Sequence, residues 1–237
     1  MTINSIFFDI YFNINIINPN LQIKKLMLEI KSFTFNDYQE NTYIVSENGR
    51  CIIIDPGNYQ TNENKEIKDY IDDLRLIPQS ILITHCHIDH VLGIDFLVKE
   101  FSVNVYIRES EINLYRDIEN YAPLFNLEKY NHFSNIKFLD LSKKIIFENQ
   151  SIKLLNLPGH SPGHVGFYFI EKNICFSGDV IFKNSIGRTD LPGGNYDTLI
   201  SSIKNELFLL DDSLKIYPGH GPTTTIFDER KNNPFLN

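Results

Sequence analysis

The sequence predicts an α+β fold in which two stacked sheets lie between outer layers of helices. Two β-rich halves carry that expectation, 28–55 and 136–177, since each must bury an apolar face. Stretches of helical periodicity lie between and after them, placing helices on the outside. The residues richest in coordination chemistry fall at strand ends, which gathers them at one edge of the sandwich.

The elements follow in order. From Ile6 to Ile16 every even position is apolar, a strand periodicity, but residues 1–26 read as an N-terminal extension, either poorly ordered or outside the domain. Met27 opens a single domain over 27–237. Strands are expected at Leu28–Phe35, Thr42–Glu47 and Cys51–Asp55, the last two joined by a hairpin turn at Glu47-Asn48-Gly49-Arg50. Ile67, Tyr70, Ile71 and Leu74 mark a helix over Glu63–Leu76 that Pro78 stops. Ser80–Thr84 is a short buried strand. A helix over Val91–Phe101, a strand at Val103–Ile107 and a helix at Ser110–Tyr121 come next, then irregular chain over Ala122–Ser134. Strands return at Ile136–Leu139, Lys144–Glu148, Ile152–Leu157, Val165–Glu171 and Ile174–Ser177. A helix over Tyr196–Leu209, with Leu199, Ile203 and Leu207 on one face, precedes a last strand at Leu214–Tyr217.

Composition narrows the function classes. With 42% hydrophobic and 22% charged residues the chain reads as soluble and globular. A net charge of −8 argues against a nucleic-acid surface, which needs clustered Lys and Arg. No apolar run approaches the ~20 residues that span a bilayer. Three widely spaced cysteines form no disulfide framework, so a reducing, cytoplasmic setting is expected.

The chemistry concentrates in Ile83-Thr84-His85-Cys86-His87-Ile88-Asp89-His90. Imidazole and carboxylate are the ligands that borderline divalent metals such as zinc prefer. His85 and His87, two apart at a strand end, point the same way. Asp89 and His90 follow at a turn into a helix and can aim at a second point, so one loop could serve two metals. The H-E-x-x-H reading is excluded, because its histidines stand at i and i+4. Three more sites lie beside glycines at strand ends: Gly159-His160, Gly178-Asp179 and Gly219-His220. His164 is a rival to His160, and His132 reads as a surface residue. Cys86 points away from the ligands and packs inward. Asp55 either orients the metal loop or only forms a turn.

These motifs, THCHIDH followed by PGH, GD and PGH, make residues 28–237 resemble the metallo-β-lactamase superfamily. The stretch SIGRTDLPGG from Ser185 and the ending YPGHGPTTTIFDERKNNPFL resemble its short glyoxalase II-like branch. The resemblance implies an αββα sandwich of two mixed sheets. By position it implies that His85, His87 and His160 hold one metal. Asp89, His90 and His220 would hold a second, with Asp179 bridging. The ions implied are two divalent cations, zinc first, with iron or manganese compatible.

Such a pair would activate a shared water as hydroxide, and Asp89 is the residue placed to steer it. A thiolate leaves with little protonation, given a pKa near ~8.5, so such a site suits a thioester, and the glyoxalase II likeness implies a hydroxyacyl thioester such as S-lactoylglutathione. Only 17 residues follow His220, too few for the basic glutathione-gripping region of the longer glyoxalase II enzymes. Arg188 is then the candidate for a substrate carboxylate, and hydrogen bonding to backbone carbonyls is its plain alternative. A rival from another class is a mononuclear-iron oxidoreductase resembling persulfide dioxygenases. A closed structural metal site fits poorly, because such sites are usually cysteine-rich.

Overall fold

The computed structural model describes residues 27–127 and 130–236; the strand periodicity of 1–26 lies outside them. The first sheet runs β1 (Glu29–Phe35), β2 (Glu40–Glu47), β3 (Arg50–Ile54), β4 (Ile77–Leu82), β5 (Asn104–Ile107) and β6 (Ile136–Phe138), in that spatial order. Its first three strands are antiparallel and the rest join in parallel. The β2–β3 turn is where Asn48 and Gly49 predict it, with φ of 53° and 76°, the doubly left-handed turn that matches strand twist. Parallel pairing requires crossovers. Helix α1 (Thr61–Asp73) links β3 to β4, and α2 (Ile94–Phe101) links β4 to β5.

The second sheet is built from β7 (Ile145–Phe147), β8 (Gln150–Asn156), β9 (Val165–Phe169), β10 (Ile174–Gly178), β13 (Lys215–Pro218) and β14 (Thr224–Thr225). Its spatial order is β14-β13-β10-β9-β8-β7, with only β10 and β13 parallel. A small hairpin, β11 (Ile181–Phe182) with β12 (Ser185–Ile186), stands apart. Helix α3 (Ile112–Tyr121) follows β5, while α4 (Tyr196–Asn205) and α5 (Ile226–Asn232) belong to the second half.

Strand alternation sorts the apolar side chains into three layers. Tyr43, Val45, Ile52, Ile54 and Leu82 face Phe147, Ile152, Leu154, Phe167, Phe169 and Phe176 between the sheets. Their neighbours Ile44, Ile53 and Ile81 point the other way, onto Ile67, Ile71, Leu97 and Ile118 of α1, α2 and α3. Leu155, Cys175 and Ile216 likewise turn outward onto Leu199, Ile203, Leu207 and Ile226. Fully burying each such side chain contributes ~1.5–3 kcal/mol, so the layering αββα is what period-two strands of this composition favour. No helix among the described residues is long and apolar enough to cross a membrane.

Several boundaries differ from the sequence expectation. Helix α1 ends at Asp73, with Arg75 left-handed at φ 51°, before Pro78 is reached. Pro78 sits inside β4, at a register shift against β3, where its missing N–H is tolerated. Helix α2 begins at Ile94, because Ile88–His90 form a separate 3-10 turn. Tyr196–Leu209 divides into α4 and a 3-10 turn at Leu207–Leu209. The strand ending at Tyr217 is not the last: the two-residue β14 and helix α5 follow, both too short for periodicity to reveal.

Candidate metal centre

Four strand ends deliver the site. Strand β4 leads into Ile83–His90, β8 into the loop of His160, β10 into Asp179 and β13 into His220. All seven positions converge. Side-chain ligand atoms of His85, His87 and His160 lie within 4.8 Å of one another, and so do those of Asp89, His90 and His220. Asp179 stands between the trios. Its Oδ2 is 3.6 Å from His160 Nε2 and 3.4 Å from His220 Nε2, and its Oδ1 is 3.4 Å from His90 Nε2. Asp89 Oδ2 lies 3.2 Å from His220 Nε2 and 3.6 Å from His90 Nε2.

The far ring nitrogens explain which atoms point inward. His85 Nδ1 meets the Thr84 hydroxyl at 3.0 Å, which itself donates to Asp55 Oδ2 at 2.6 Å. The hydroxyl's proton being committed, His85 Nδ1 carries the hydrogen and Nε2 is bare. His160 Nδ1 donates to the Arg188 carbonyl at 2.7 Å, His220 Nδ1 to the Gln39 carbonyl at 3.2 Å, and His90 Nδ1 to Asp55 Oδ2 at 3.2 Å. Outer partners of this kind fix tautomer and ring orientation in metal-binding histidines. The bare Nε2 atoms of His85 and His160 therefore face each other at 3.2 Å, an arrangement that a cation between them would relieve. His87 Nε2, His90 Nε2 and Asp179 Oδ1 are buried with no hydrogen-bond partner. Orphaned polar atoms are costly unless something coordinates them. The donor set fits divalent metal.

Electrostatics divides the trios. Burial, followed by the neighbouring histidines, holds His85 well below the ordinary imidazole range. Burial takes His87 down to about 3 and lowers His160 as well. These three rings are neutral, the ligating form. Burial also opposes charge on His220, but hydrogen bonds with Asp179 and Asp89 outweigh it and lift the ring to about 10. Burial opposes charge on His90 too, but the negative charges of Asp89 and Asp179 overcome it and raise the ring. This half of the site attracts positive charge.

Other residues fall as follows. His164 stands outside both trios: its Nε2 accepts the Asp179 N–H at 3.1 Å, and its ring stacks 4.7 Å from His85. Cys86 is buried in the helix-facing core, as its alternation predicts. Asp55 does orient the loop, taking both the N–H and the hydroxyl of Thr84. His132 is half-buried, with its ring 4.4 Å from Tyr115. The Arg188 guanidinium is exposed and pairs with Asp190, leaving its carbonyl as the group that touches the site. Gly219 is required where it stands, since a Cβ there would lie 2.1 Å from Asp179 Oδ1.

Some participants carried no spacing signal. Asn36 Nδ2 donates to the carbonyls of Gly57 and Asp89, both at 3.0 Å. Glu40 is fully buried, accepts from Thr42 and leaves Oε1 unpartnered 3.9 Å from His90 Nδ1; burial pushes its pKa well up. The Glu40–His220 bridge joins the start of β2 in one sheet to the chain just past β13 of the other, a signal visible only once the sheets are stacked.

Sandwich and site define the class. The model of the metallo-beta-lactamase superfamily matches residues 35–220, and the chain belongs to that superfamily. Among its relatives, the hydroxyacylglutathione hydrolase GloC of Haemophilus influenzae is 36% identical over 213 residues, covering 89% of this chain and 99% of the relative. The probable metallo-hydrolase YqgX of Bacillus subtilis is 34% identical, with coverages of 84% and 93%. Among solved structures, TTHA1623 in a di-iron-bound form superposes with a TM-score of 0.77 at 34% identity, covering 87% of this chain and all of that one.

Proposed function

We propose that the chain is a dinuclear metal-dependent hydrolase cleaving acyl thioesters, of the hydroxyacylglutathione hydrolase type. The observation that carries this reading is the pair of ligand trios flanking one carboxylate, Asp179. His85, His87 and His160 would hold one divalent ion, Asp89, His90 and His220 the other, and Asp179 both. Zinc suits the nitrogen and oxygen donors, as do iron and manganese. When bound, such ions polarise a carbonyl and bring water to a nucleophilic form near neutral pH.

The chain's own residues supply orientation. Thr84, Asp55, the Arg188 carbonyl and the Gln39 carbonyl hold the imidazoles of His85, His90, His160 and His220 by their outer nitrogens. His220 and Asp89 are partly open to solvent, with side chains 26% and 13% exposed, and His87 of the other trio is partly open as well, so substrate can reach both halves of the site. Asp89 would help to hold a metal, and its carboxylate would orient the nucleophile. Phe182 lies 6.1 Å from His220, and Tyr38 is near enough to Asp89 for that charge, after burial, to raise its phenol. This aromatic border suits the apolar part of a small thioester. Arg188 can meet a substrate carboxylate by exchanging it for Asp190. A thiolate leaving group, with pKa near ~8.5, needs no acid from the chain.

The test is metal analysis of the purified protein alongside a thioester panel that includes S-lactoylglutathione. Two equivalents of metal and hydrolysis that ends on chelation are expected. One iron per chain with oxygen uptake on a persulfide, and no thioester turnover, would overturn the reading in favour of an oxidoreductase.

A further inference from the structure

We infer that Glu111 is a positioning residue for the first metal trio, a carboxylate clasp between the two loops that carry it; the assignment rests on the dinuclear reading above. Glu111 ends the 3-10 turn Glu109–Glu111 after β5, beside β4 in the first sheet, and is fully buried. Each carboxylate oxygen accepts one backbone N–H. Oε2 takes that of Cys86, between His85 and His87, at 2.8 Å, and Oε1 takes that of Gly163, three residues beyond His160, at 2.5 Å. The two donors belong to loops of different sheets, 25 and 52 residues from Glu111 in sequence. Glu111 thus spans the gap across which His87 and His160 must meet, their ring centroids 4.5 Å apart.

A carboxylate is the group this place needs. It offers acceptors on both sides, whereas a glutamine would turn an N–H donor towards one of the two amides. The fit is close. A Cβ at Gly163 would lie 2.3 Å from Ser110 Oγ, 2.9 Å from Glu111 Cγ and 3.0 Å from its Oε1. Glu47 is a matched contrast: also buried, it accepts from Asn149 N–H and Gln150 Nε2. It lies at the other end of β2 from Glu40, ~23 Å away at strand rise. Loss of a buried carboxylate as such is therefore separable from loss of this one.

Co(II) titration followed by absorbance and by metal content tests the assignment on the wild-type chain, Glu111→Gln, Gly163→Ala, Glu47→Gln and His160→Ala. The wild type and Glu47→Gln should bind two equivalents alike. Glu111→Gln and Gly163→Ala, checked for folding by circular dichroism, should bind one equivalent at least ~10-fold more weakly. The spectrum of the ion that remains should match that of His160→Ala. Two wild-type affinities in both variants, or equal weakening of both ions, overturns the clasp. If Glu111→Gln fails to fold, Gly163→Ala decides by the same criteria. A wild-type chain that takes up no Co(II) overturns the dinuclear reading itself, a result distinct from either.

Discussion

Four imidazoles at the centre, those of His85, His90, His160 and His220, have two jobs, one per ring nitrogen, and the residues that occupy the outer nitrogen matter nearly as much as the ligands. His87 is the ligand whose removal is cleanest, since it belongs to a loop and not to a core layer. His87→Ala should leave the far-ultraviolet circular dichroism unchanged while thioester hydrolysis falls to background; turnover retained in that variant contradicts a metal-based mechanism. Asp55 reaches one trio through His90 and the other through Thr84 and His85. Its φ of 49° is one that asparagine also tolerates, so Asp55→Asn keeps the backbone. It replaces one acceptor oxygen with a donor, and metal affinity should fall ~10–100-fold by competition with a chromophoric chelator.

At the scale of the elements, strands do the placing and turns do the aiming. The ligands sit immediately past β4, β8, β10 and β13, where the backbone leaves the ladder and a side chain can turn across the sandwich edge. That edge is rigid because the layer behind it is packed. Phe167 is fully buried between the sheets, on the strand next to β8 and β10. Phe167→Ala should cost ~3–5 kcal/mol by urea denaturation, from lost transfer energy and the cavity left behind. This layering was legible beforehand, since alternation in Thr42–Glu47 or Ile152–Leu157 assigns each side chain to a face. Element ends were less so. Pro78 reads as a helix stop and turned out to lie within a strand, because the helix had already ended at a left-handed Arg75. The two residues of β14 are strand only by pairing with β13, and a window that short carries no period.

The whole molecule keeps its three thiols inside. Cys51, Cys86 and Cys175 are free and buried, and burial pushes Cys51 and Cys175 up to about 12. A thiol reagent at pH 8 should therefore label none of them in the native protein and all three in denaturant. The linkage has a definite sign. In the unfolded chain a thiol titrates near ~8.5, so between there and 12 the native state holds protons that the unfolded state has lost. Stability is fully present below ~8.5 and falls as pH rises, by up to ~1.4 kcal/mol per pH unit for each of these two thiols. A urea midpoint that does not drop between pH 8 and pH 10 contradicts their burial.

The amino-acid sequence by itself determined the kind of fold and the kind of site. Side-chain periodicity is a local property of the chain, and so is the preference of imidazole and carboxylate for metal. Only the tertiary structure decided which nitrogen of His85, His90, His160 and His220 faces inward, that His164 serves Asp179 from outside both trios, and that Arg188 meets the site through its carbonyl. It alone brought Glu111 between two loops and Glu40 beside His90. The reason is distance along the chain. A hydrogen bond between residues dozens of positions apart leaves no mark on the pattern around either partner, and exists only once two separately formed sheets are pressed together.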